Sequence, residues 1–108
     1  MTEAALYAAQ RVTAMILAPL VLIHLGLILY AVSDGLTADE ILSRTRGNMA
    51  WAAFYGLFVL SAAVHAPLGL RNILREWLGL RGRMVDCVLV LFAALLAGLG
   101  LRAVLAVI

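Results

Sequence analysis

The chain has 108 residues, of which 66% are hydrophobic and only 13% charged, with a mean hydropathy of +1.09. So little polar surface cannot coat a water-soluble globule, and the same composition excludes a disordered chain. The single Cys87 excludes an internal disulfide framework, and a net charge of +2 from scattered arginines excludes the basic stripe of a nucleic-acid binder.

The N-terminal MTEAALYAAQR has no basic n-region, and no cleavage site follows the next apolar run, so it reads as retained and not as a signal peptide. Helix 1 is expected over about residues 8–32, because the uncharged run from Val12 to Val32 reaches roughly 31 Å, the thickness of a bilayer core. An outer connector (33–48) follows, in which TADEIL predicts a short surface helix with Thr37 as N-cap and Glu40 completing a capping box. Helix 2 is expected over about 49–71, an inner connector over 72–84, and helix 3 over about 85–108, all within one membrane-anchor domain spanning residues 1–108. None of the apolar runs alternates with period two, and only helices close their own hydrogen bonds in lipid, so the fold class is an all-α integral membrane protein with three transmembrane helices.

Arg71, Arg75, Arg81 and Arg83 outweigh Glu76 and Asp86 around the second connector, which places that connector and the N-terminus in the cytoplasm. Tyr30, Trp51 and Trp77 read as interfacial anchors, Arg102 as a snorkelling charge, and Cys87 as a small buried apolar residue.

The polar groups inside the spans carry the information. His24 lies in helix 1 and His65 in helix 2, with no intramembrane acid to suggest a proton relay. Neutral imidazole is an axial haem ligand and haem takes apolar walls; without a CxxCH motif the haem is non-covalent and b-type. A structural alternative is that both histidines hydrogen-bond neighbouring helices. Gly26 and Gly69 leave room for a macrocycle or for a helix, Pro19 and Pro67 each remove a backbone bond, and Ser61 lies one turn before His65, where its hydroxyl reaches the imidazole or the carbonyl freed by Pro67. At about 1.5 Å per residue, His24 lies roughly 20 Å beyond Arg11 and His65 roughly 9 Å before Arg71. That offset assigns the two histidines to different haems, each completed by a ligand from another chain. Thr13 and Gln10 fall on the His24 face of helix 1, with Arg11 turned away.

AAQRVTAMILAPLVLIHL (Ala8 to Leu25) and HAPLGLRNILREWLG (His65 to Gly79) resemble the cytochrome b membrane-anchor subunits of the succinate dehydrogenase and fumarate reductase family. His65, Gly69, Arg71 and Glu76 match an H-x-x-x-G-x-R element followed by an acid, and Arg11 with Thr13 matches the element that opens the first helix. Gln10 stands where the family often has histidine, Ala14 where it often has glycine, and Tyr7 where some members have a serine near the quinone.

The resemblance implies half of a six-helix haem-binding bundle completed by a second anchor subunit or a second copy of this chain. It implies two haems b per anchor pair, with His65 on the proximal iron and His24 on the distal one. Arg71 would meet a haem propionate, Arg11 a propionate or quinone, and Tyr7 the quinone. The implied partners are a flavoprotein subunit, an iron–sulfur subunit, lipid and quinone. The implied work is electron transfer in a bacterial cytoplasmic (inner) membrane, with no bond-making in this subunit. A cofactor-free structural subunit and a haem anchor for another quinone-linked dehydrogenase are the alternatives.

Overall fold

Thr2 stops the first helix from starting any earlier: its extended backbone and its Oγ1, which accepts from the Ala5 N–H at 3.1 Å, make it the N-cap of α1 (Glu3–Asp34). Residues 2–108 are described by a computed structural model, in which α1 thus begins about a turn before the expected start. Gly35, at φ 145°, ends it.

The expected surface helix is present as α2 (Ala38–Thr45). Thr37 Oγ1 accepts from the Glu40 N–H at 3.2 Å, the N-cap bond that the TADEIL pattern predicts, and the Thr37 hydroxyl donates to the Glu40 carboxylate at 2.7 Å in place of the backbone N–H that completes a capping box. Arg44 on α2 reaches back to the Asp34 carboxylate and to the Gly35 carbonyl, and lies over the Tyr30 ring.

Asn48 caps α3 (Met49–Trp77), and Gly79, at φ 66°, turns the chain back so that the Leu80 N–H donates to the Leu74 carbonyl. α4 (Arg83–Val107) completes the chain, and there is no strand among the described residues. α1, α3 and α4 are each long and apolar enough to cross a membrane, and the longest dimension of 47 Å matches a bilayer with its headgroups.

α3 is the central helix: α1 and α4 both pack along it and meet each other only marginally. The core is therefore thin. Ala63, Leu89, Ser61 and Thr13 are buried, whereas Leu22, Leu91 and Leu105 lie mostly exposed, as lipid-facing or partner-facing residues do. Cys87, expected to be buried, is exposed, because this face of α4 turns away from α3.

At the end away from the arginine-rich connector, Thr45 ties α2 to α4. Its buried Oγ1 donates to the Val107 carbonyl at 2.6 Å, and the Gly47 N–H donates to the Ile108 carbonyl at 3.1 Å. Both bonds satisfy carbonyls that the last helical turn leaves open. Thr45→Val should cost about 1 kcal/mol and speed amide exchange across α2, with α1 unchanged.

Candidate functional site

Three contacts give the register of the antiparallel α1–α3 seam. Glu3 meets Arg71 and Arg75, Thr13 meets His65, and His24 meets Tyr55 and Phe58. Both histidines therefore turn into one seam, on separate levels. Counted along α1 from Thr13 to His24 the levels lie roughly 16 Å apart, and counted along α3 roughly 11 to 15 Å. One iron needs its axial nitrogens about 4 Å apart, twice a metal–imidazole bond. The two histidines of one chain thus belong to two positions, in agreement with the depth count along the sequence.

On the His65 level, Thr13 is only 8% exposed. Its Oγ1 lies 2.7 Å from the Ala9 carbonyl, 3.1 Å from the Gln10 carbonyl and 3.1 Å from His65 Nδ1. Ser61 is buried too, but the hydroxyl on His65 comes from the opposite helix. The reason is geometric: the seam sets Thr13 directly across from the ring, while Ser61 only shares the ring's own helix face. Gly69 has a neighbour within the chain. A Cβ there would stand 3.3 Å from Gln10 Nε2, so the missing side chain admits the Gln10 amide, whose Oε1 is buried without a partner.

Toward the arginine-rich end, the guanidinium of Arg71 grips Glu3 with two prongs, at 2.8 and 3.3 Å, and its Nε lies 3.8 Å from Asp86. Arg75 reaches the same Glu3 at 3.0 Å. Glu3 sits in the first turn of α1, outside the uncharged span, and the hydrogen bonds from Arg71 and then Arg75 hold its carboxyl well below the usual range, at about 2. The resulting chain of charges joins the ends of α1, α3 and α4. Tyr7, Arg71 and Glu76 share the wall of a cavity of about 300 Å³. Arg11 is exposed on α1 and takes no part in that wall. A larger space of about 560 Å³ opens between α1, α3 and α4, with Arg71 and Asp86 at its polar end and Ala63, Pro67 and Leu89 among its walls.

On the other level, His24 sits against aromatic edges. Its ring centroid is 5.3 Å from Phe58 and 5.9 Å from Tyr55, and Trp51 stacks on Tyr55 at 5.9 Å. Trp51 is therefore part of the wall around His24 as well as near a helix end. His24 Nδ1 is buried and has no hydrogen-bond partner. An orphaned polar atom of that kind costs about 1–3 kcal/mol until something pairs with it. His24, Tyr55 and Phe58 line a cavity of about 320 Å³ whose walls also include Thr45, Gly100 and Val104. A Cβ on Gly26 would touch nothing within 4 Å, so that position is open toward whatever lies outside the chain.

The donor set fits haem better than a bare ion. Among the described residues no group of three or more His, Cys, Asp or Glu side chains converges, whereas each level offers one imidazole, His24 among aromatic rings and His65 beside the Thr13 hydroxyl. A porphyrin brings its own equatorial nitrogens and asks the protein for axial ligands only. Tyr55, the place of Trp51 beside His24, and the pairing of Thr13 with His65 are not legible in the sequence. The signal for all of them is the α1–α3 register, which no single helix reveals.

A family model described as succinate dehydrogenase/fumarate reductase transmembrane subunit matches residues 2–101. No curated protein and no solved structure matches the chain.

Proposed function

Since the chain belongs to the family of succinate dehydrogenase/fumarate reductase transmembrane subunits, we propose that it is a haem b-bearing anchor that passes electrons between iron–sulfur centres and membrane quinone. The observation that carries this reading is the pair of seam imidazoles on separate levels, one held by a hydroxyl and one with an orphaned nitrogen. His65 serves the haem nearer the arginine-rich end and His24 the more distant one. A sister anchor subunit or a second copy of this chain supplies the remaining ligands. Where two copies pair, a two-fold axis sets His24 opposite His24 and His65 opposite His65.

Haem, when bound, supplies a one-electron couple. The chain's own residues decide where it sits and what surrounds it. Phe58, Tyr55 and Trp51 give the His24 level aromatic walls, and surroundings of low polarity strengthen charge interactions there. Arg71 offers a planar fork, which here holds the Glu3 carboxylate and would suit a haem propionate by the same geometry. Tyr7 presents a phenol to quinone in the cavity that it shares with Arg71 and Glu76. Arg11 faces outward, so its contact with a propionate or quinone is made toward a neighbouring chain. The partners are a flavoprotein and an iron–sulfur subunit docked at the arginine-rich end, on the cytoplasmic side of a bacterial inner membrane.

The test is a reduced-minus-oxidised spectrum and a haem-to-chain ratio on the native complex. Two b-type haems per pair of anchor chains is the expected result. An intact complex with no b-type haem overturns the reading and returns both histidines to helix packing.

A further inference from the structure

We propose that Thr13 is the positioning residue that holds His65 in the tautomer an iron ligand requires; the proposal rests on the haem reading above. Thr13 Oγ1 has one proton to give and three neighbours within hydrogen-bond range: the Ala9 carbonyl at 2.7 Å, the Gln10 carbonyl at 3.1 Å and His65 Nδ1 at 3.1 Å. A carbonyl 2.7 Å from a hydroxyl oxygen is repelled unless the proton lies between them, so the proton goes to Ala9. Nδ1 then approaches the oxygen's lone pair, and that approach is favourable only if Nδ1 carries hydrogen. The neutral ring is therefore the Nδ1–H tautomer, with its lone pair on Nε2.

A threonine bonded back to the carbonyl four residues earlier is ordinary in an apolar helix and by itself marks no site. What sets Thr13 apart is the second use of the same oxygen, across the seam. The relay runs from His65 Nδ1–H to Thr13 Oγ1–H to the Ala9 carbonyl, and each bond polarises the next. Ligating histidines characteristically donate their other N–H to such an acceptor, which fixes the ring's orientation and raises its basicity. Here the acceptor is a hydroxyl from α1, so the ligand on α3 is aimed by the neighbouring helix. The 8% exposure of Thr13 leaves water little access to replace it.

Thr13→Val keeps the β-branched shape and removes the relay, while Thr13→Ser keeps the hydroxyl. In the full-length haem-free chain, labelled with ¹⁵N-histidine and held in lipid nanodiscs, His65 should show its N–H at Nδ1 in the native protein and in Thr13→Ser, and lose that preference in Thr13→Val. In the purified complex, Thr13→Val should weaken retention of one haem by about 10–100-fold. It should also raise that haem's midpoint potential, because a less basic imidazole stabilises ferric iron less; each tenfold change in the ferric preference is about 59 mV. Thr13→Ser should restore both values. An Nε2–H tautomer in the native chain overturns the proposal, as does a Thr13→Val complex with native haem retention and potential. A native complex lacking b-type haem overturns the haem assignment instead, and the tautomer, read without haem, still decides whether Thr13 sets the ring.

Discussion

His65→Ala is expected to remove one b-type component from the reduced-minus-oxidised spectrum of the assembled complex, and His24→Ala a different one. The expectation follows from the seam's register, since imidazoles more than 10 Å apart along the helices cannot share an iron (roughly 11 to 16 Å by helix rise). Each variant should retain about half of the haem.

The two sites differ in what else they lose. His65→Ala strands the buried Thr13 hydroxyl's second interaction and costs about 1 kcal/mol on top of the cavity it leaves. His24 has no hydrogen bond at Nδ1 to lose. His24→Phe should therefore leave the haem-free chain as stable as the native one, or more stable by up to about 2 kcal/mol, while abolishing the distal component. Thermal unfolding of the haem-free chain in detergent or nanodiscs, set beside the spectra of the complex, separates these effects. Loss of both components from either variant would falsify the two-level arrangement.

Gly100→Ala should be the most damaging methyl added at any glycine inside the three long helices. A Cβ at Gly100 would stand 2.5 and 3.0 Å from the methyl carbons of Val59, a stiff β-branched side chain on the central helix. α3 and α4 must separate or Val59 must leave its rotamer, at about 1–3 kcal/mol. Gly98→Ala, two residues away on α4, meets nothing within 4 Å and serves as the control, with no loss expected. Val59→Ala should rescue Gly100→Ala in a double-mutant cycle with a coupling of about 1 kcal/mol or more. Because Val59 and Gly100 also wall the His24 cavity, the unrescued variant should lose the distal haem before the proximal one. Equal stability of the two glycine variants would mean that the α3–α4 contact is looser than the structure has it.

Composition and charge spacing were enough to read three membrane helices; the TADEIL segment carries the short α2 with its Thr37 cap, and the family is a resemblance carried by motif residues. Hydropathy is a local property summed along the chain, and the bilayer admits only one backbone solution to it. The family is legible because His65, Gly69 and Arg71 carry it within one helical stretch, and the matched region covers residues 2–101. The separation of the histidines was legible for the same reason, since depth in a membrane can be counted from charged boundaries along a single helix.

What meets across the seam was not legible in this way. Ser61 shares a face with His65, so it is the hydroxyl that a one-helix count selects; Thr13, from α1, is the one that arrives. Gly26 and Gly69 read alike as room for a macrocycle or a helix, and they part in the structure: Gly69 receives Gln10 of the neighbouring helix, while Gly26 meets nothing. Trp51 looked like an anchor and stacks on Tyr55 beside His24. Each of these depends on the register and rotation of α1 against α3, which side-chain packing sets and no helical period encodes. The sequence by itself determined which helices cross the membrane and which residues lie at each depth; only tertiary packing decided which of those residues touch, because contact between helices depends on interlocking shapes contributed by both.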